Sequence, residues 1–115
     1  MRVIVAGGRD FKPTKEHIEW LINTLKSLET TEVICGMANG ADLFGRQVAL
    51  KMKIAVKEFP ADWNKYGKMA GPLRNAEMAK NADVCVLFPG GRGTANMKML
   101  AQLNELKIVE YYEGN

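Results

Sequence analysis

Short apolar runs that hand over directly to polar or glycine-bearing loops constrain this chain more than any other feature. "RVIVAG" (residues 2–7) is β-branched and continuously apolar, the pattern of a strand covered on both faces. "TEVICG" (31–36), "IAVKEF" (54–59), "DVCVLF" (83–88) and "KIVEYY" (107–112) supply four more strands. Between them the apolar period changes to that of a helix. Ile18, Leu21, Ile22, Leu25 and Leu28 follow Pro13 and Thr14, where a helix start tolerates proline. Ala41, Phe44, Val48 and Met52 mark a second helix beginning near Asn39 or Asp42. A third helix runs through Arg74, Met78 and Ala82, and a fourth through Leu100 and Leu103. The strict alternation of strand and helix predicts an α/β fold. It is a Rossmann-like three-layer sandwich of about five parallel strands, joined by right-handed crossovers.

A chain of 115 residues, 47% hydrophobic, holds one compact domain over residues 1–115, and one domain implies one main site. The formal net charge of +3 favours a small anion and falls short of the Lys/Arg stripe of a nucleic-acid binder, so nucleic acid is not the expected partner. Cys35 and Cys85 lie in or at the end of apolar runs, without His/Asp neighbours at metal-ligand spacing; they read as buried thiols, with no metal and no cofactor expected. "MRVIVAGG" is too short for a signal-peptide core, and no apolar run approaches the roughly 18 residues that cross a bilayer. A soluble cytoplasmic protein with no membrane partner is the expectation. No internal repeat, low-complexity segment or linker interrupts the chain, and only "EGN" at its end reads as loose.

In a parallel sheet the ligand lies outside the carboxyl ends of the strands, near the point where strand order reverses. Four loops reach that rim: "AGGRD", "GMANGAD", "FPADW" and "PGGRGT". In the last, Gly90, Gly91 and Gly93 let backbone N–H groups turn toward one point, and the following helix start carries partial positive charge. This suits a phosphate. Thr94 can cap that helix or donate its hydroxyl to a phosphate oxygen, and Arg92 can add charge from the rim. The pattern is neither Walker A nor GxGxxG, which argues against an ATPase or an ordinary dinucleotide site.

Gly7 and Gly8 leave room for a flat ligand to lie close to backbone, Arg9 can pair with an anionic group, and Asp10 either accepts from ribose hydroxyls or ties its own loop. Gly36 and Gly40 bracket a bend, after which Asp42 either caps the next helix or meets the ligand. The stretch "FPADWNKYGKMAGPLRN" is long and aromatic for a connector. Trp63 and Tyr66 can stack on a base or form a lid, with burial of Trp63 in the core the competing role. Asp62 is the carboxylate best placed for acid or base work. Arg74, in the first turn of a helix where the dipole disfavours cations, makes sense if it answers a ligand phosphate or a nearby Asp. His17 reads as a solvated residue on a charged helix face, and Met69, Met78, Met97 and Met99 as core filler or a dimer seam.

In this order and spacing, "GGRD", "GMANGAD", "FPADWNKYGKMAGPLRN" and "FPGGRGTANM" closely resemble the YspA-like branch of the SLOG superfamily, which is named for its Smf/DprA and LOG members. The resemblance covers nearly the whole chain. It implies a Rossmann-like fold and a nucleotide or nucleotide-derived ligand. The LOG enzymes of the superfamily hydrolyse the N-glycosidic bond of nucleoside 5′-monophosphates, using a PGGxGTxxE motif and an Arg-Lys pair on the preceding helix. Gly90, Gly91, Gly93 and Thr94 match that loop, and Arg74 matches the Arg; Asn75 stands in place of the Lys and Met97 in place of the Glu. A carboxylate there would stabilise the cationic ribose or activate water, and a thioether does neither. Asp62, Asp10 or Glu77, one turn from Arg74, are the carboxylates left to replace it. The resemblance therefore implies ligand binding by a sensor or sequestering module first, a phosphoribohydrolase-like N-glycosidase second and single-stranded DNA binding last. It also implies a homo-oligomer, since LOG-type relatives make homodimers.

Overall fold

The computed structural model describes residues 1–112; the tail read as a loose end, residues 113–115, lies outside them. Five strands, β1 (Arg2–Ala6), β2 (Glu32–Cys35), β3 (Ala55–Glu58), β4 (Val84–Leu87) and β5 (Lys107–Glu110), form one all-parallel sheet in the order β3-β2-β1-β4-β5. Among the described residues five α-helices, with a 3-10 turn (Gly67–Met69) between the third and fourth, connect them: α1 (Lys15–Ser27), α2 (Ala41–Lys51), α3 (Trp63–Tyr66), α4 (Ala70–Lys80) and α5 (Arg92–Leu103). The expected Rossmann-like α/β sandwich is the fold observed.

Alternation along the central strands divides the core in two. Val3, Val5, Val33, Val84 and Val86 face α1 and α2, meeting Leu21, Leu25, Phe44 and Val48. Ile4, Ile34, Cys85 and Leu87 face α4 and α5, meeting Met78, Ala79, Met97 and Ala101. Because both faces are covered, β1 and β4 are buried along nearly their whole length, which is why they read as unbroken apolar runs. Edge strand β3 carries exposed Lys57 and Glu58, a pattern that discourages further pairing.

Two readings of side-chain environment change. His17 is buried rather than solvated: its Nδ1 accepts the Thr14 N–H at 2.9 Å in a capping box, and its ring packs against Phe11, Phe88 and Tyr111. Helix-start geometry turns the imidazole back under the first turn and into an aromatic cluster that also holds Trp20 and Phe44. On α5 the inward residues are Met97 and Ala101, while Leu103 is exposed, as is Ile18 on α1. Of the four methionines, Met78 and Met97 fill the core and Met69 and Met99 are exposed.

Candidate functional site

Strand order reverses between β1 and β4, and there the carboxyl rim opens into a cleft of about 820 Å³. Gly7, Gly8, Arg9 and Asp10 from the β1 exit line it, with Asp42 from α2, Trp63 from α3, Arg74 and Asn75 from α4, and Gly90, Gly91, Arg92, Gly93 and Thr94 from the β4 exit. Loops far apart in sequence meet because the crossovers return every strand in the same direction. The glycine loops after β1 and β4 touch, with Gly8 N donating to Pro89 O at 2.9 Å. A Cβ at position 90 would stand 2.6 Å from Gly8 N and run into Thr94 Oγ1, so the approach requires glycine.

Gly40 supports the β1 loop from below. It sits at φ +75°, and a Cβ there would collide with the carbonyls of Gly8 and Arg9. Gly40 is also the N-cap of α2, which leaves Asp42 in the first turn. The Asp42 carboxylate accepts the Ala38 N–H at 3.3 Å rather than capping the helix.

Helix α5 begins at Arg92, two residues before the threonine expected to cap it, with Gly91 at the N-cap and no side-chain cap on its N–H groups. The N–H groups of that turn open on the cleft with the positive end of the helix dipole. Thr94 is inside the helix, beside Gly90.

The cationic side of the site is built around Arg74. Its Nη1 donates to the carbonyl of Gly36 and its Nε to Asn75 Oδ1 at 2.9 Å. Arg9 lies 5.6 Å from the centre of the Trp63 ring, a cation–π distance. Burial raises the Asp42 carboxyl to about 6, against the lowering effects of the Ala38 N–H and of Arg74 and Arg9. Burial likewise lowers Arg74, and Asp42 offsets part of that shift. Desolvation outweighs the mutual attraction of the pair, so both charges are held at a cost. A smaller cavity of about 450 Å³ adjoins the cleft between the β2 and β3 exits, sharing Arg9, Trp63 and Arg74 and adding Gly36, Met37, Asn39, Pro60 and Ala61.

Of the three carboxylates left for acid or base work, Asp10 lines the cleft and the other two lie elsewhere. Asp62 is exposed and caps α3, accepting the Lys65 N–H at 3.1 Å. Glu77 is exposed on α4, 3.7 Å from Lys80, and turns away from the cleft because Asn75 and Met78 occupy the inward face. Trp63 is 49% exposed, so it is not core, and Tyr66 is exposed outside the cleft. Asn96 and Phe11 line the cleft although nothing in the sequence singled them out. Asn96 could have been found from its position one turn beyond Gly93 on the same helix.

Cys35 and Cys85 are buried free thiols, and burial pushes Cys85 up to about 12. Among the described residues no group of three or more His, Cys, Asp and Glu side chains is disposed to hold a metal ion, and no helix is long and apolar enough to cross a membrane.

Residues 1–66, from β1 through α3, match the family described as "YspA, cpYpsA-related SLOG family". The chain is also 34% identical over 119 residues to the gene 61 protein of Mycobacterium phage D29, covering 96% of this chain and 95% of that protein. No solved structure matches. The matched segment holds the first two rim loops and the Asp-Trp pair of the third, in the arrangement that builds half of the cleft. The chain belongs to the YspA, cpYpsA-related SLOG family.

Proposed function

We propose that the cleft binds a nucleotide or nucleotide-derived ligand by its phosphate, and that the protein serves as a sensor or sequestering module. The uncapped start of α5, opening between two glycine loops at the sheet's switch point, carries this reading. Arg92 and Arg9 supply exposed positive charge, and the guanidinium of Arg74 is held in place by Gly36 and Asn75. Asp10 and Asp42 are the acceptors for ribose hydroxyls, and Trp63 is the surface for a base. Family membership supports a nucleotide-related ligand of this class.

One observation favours a second reading, an N-glycosidase. Asp42 lines the cleft as a buried carboxyl raised to about 6, a value suited to proton transfer near neutrality, and Met97 leaves the customary carboxylate position empty of charge. Asp42 then replaces Asp62 and Glu77 as the group to test. Met69, Leu73, Met99 and Leu103, exposed on or beside α4 and α5, support the homo-oligomer expected from the resemblance, and light scattering measures its size.

The test incubates the purified protein with a panel of nucleoside mono-, di- and cyclic phosphates while melting temperature and released base are followed together. A higher melting temperature without base release supports the binding module. Base release that disappears in Asp42→Asn would establish the enzyme, and no response to any phosphate compound would defeat both readings.

A further inference from the structure

Asn75 and Asn96 stand side by side in the wall of the cleft, and the bonds around Asn75 leave its amide one orientation. The Nε–H of Arg74 can only donate, so it is the Asn75 oxygen that faces it. Asn75 Nδ2 then commits both hydrogens, to Asn96 Oδ1 at 2.9 Å and to the carbonyl of Gly93 at 3.4 Å. Turning the amide over would set oxygen against two oxygens and nitrogen hydrogens against an N–H. The orientation passes on to Asn96. It accepts through Oδ1, so its NH₂ group is left for the cleft, and among the described residues no acceptor meets that group.

We infer that Asn96 is a ligand-binding residue that presents a neutral amide donor to an oxyanion at the Gly93 end of the cleft, with Asn75 the positioning residue that holds it donor-first. The inference rests on the phosphate reading of the cleft. Its neighbourhood favours an oxyanion over a hydroxyl. The first-turn N–H groups of α5 and the guanidinium of Arg74 are also donors, and an acceptor-only group with several lone pairs satisfies them together. The Asn at position 75 thus provides, through Asn96, a directed donor without a second buried cation beside Arg74.

Inorganic phosphate and adenosine 5′-monophosphate, titrated into ¹⁵N-labelled protein, are the probes. The Asn96 side-chain NH₂ resonances are expected to shift with phosphate at the same midpoint as the backbone amides of Arg92, Gly93 and Thr94. Asn96→Ala, a partly exposed change, should weaken both probes about tenfold. Asn75→Leu should weaken them similarly, and should add nothing in the Asn96→Ala background, the mark of two residues acting as one unit. Unaltered binding in Asn96→Ala would overturn the inference and leave the phosphate reading standing. A response of the Asn96 amide to the nucleotide but not to phosphate would overturn the oxyanion assignment, placing the acceptor on ribose or base. Failure of both probes to bind would overturn the phosphate reading and the inference together.

Discussion

The two rims of the sheet solve the same problem, joining helices to parallel strands, in opposite ways. At the amino rim α1, α2 and α5 end in one repeated turn. Glu29, Lys53 and Glu105 each take a positive φ, their N–H groups bond back to Lys26, Leu50 and Gln102, and the next residues bond to Leu25, Ala49 and Ala101. Glycine would be the easier residue at all three, yet charged side chains serve. The ion pair Arg2–Asp83 on this rim is nearly half exposed on both sides. At the carboxyl rim no two loops are alike, glycine is required by close backbone approach at Gly40 and Gly90, and Asp42, Arg74 and Asn75 are polar groups withdrawn from water. Its own positive-φ residue other than glycine, Met37, terminates no helix. One rim is connection, tolerant of its residues; the other sustains burial costs that connection alone does not require.

The largest expected effect comes from forcing a side chain into the carboxyl rim. Gly40→Val meets the Gly8 and Arg9 carbonyls at a backbone angle valine rarely adopts, and should lose about 4 kcal/mol or more in urea unfolding. A loss under 1 kcal/mol would show that the rim is as tolerant as its opposite.

Next is the pH dependence of Asp42. Its folded value of about 6 lies above the ordinary 3.8, so the folded protein binds the proton more tightly than the unfolded chain. The corresponding stability is fully present below the ordinary value and is lost as pH rises through about 6, a span of about 3 kcal/mol. Asp42→Asn should flatten the unfolding free energy over that window; an unchanged slope would assign it to another group.

Arg74→Lys keeps the charge but loses the fork that holds both Gly36 and Asn75. Phosphate affinity, followed by calorimetry, should fall by about 2 kcal/mol. The smallest effect lies at the amino rim, with the opposite sign: Lys53→Gly should gain up to about 1 kcal/mol in thermal unfolding, because glycine relieves the positive φ.

The amino rim and the strands it feeds were legible because their determinants are local. Apolar runs placed β1, β2 and β4, and helical spacing placed Leu21, Leu25, Phe44 and Val48 inward. The glycines of the carboxyl rim were legible for the same reason. Its carboxylates were not. Asp62 and Asp42 both sit near helix starts in sequence, and only the packing of α2 beneath β1 buries one while the other caps an exposed turn. His17 was misread because its environment comes from Phe88 and Tyr111, which arrive from β4 and β5. Asn96 acquires its role only through Asn75, 21 positions away.

The most direct measurement is a map of backbone amide shifts as inorganic phosphate is titrated into the labelled protein. The account predicts saturable shifts at Arg92, Gly93 and Thr94, with Gly7 and Gly8 following, and none at the turns of Glu29, Lys53 and Glu105. Shifts centred on the amino rim, or none anywhere at millimolar phosphate, would contradict the claim that the uncapped start of α5 is an anion site.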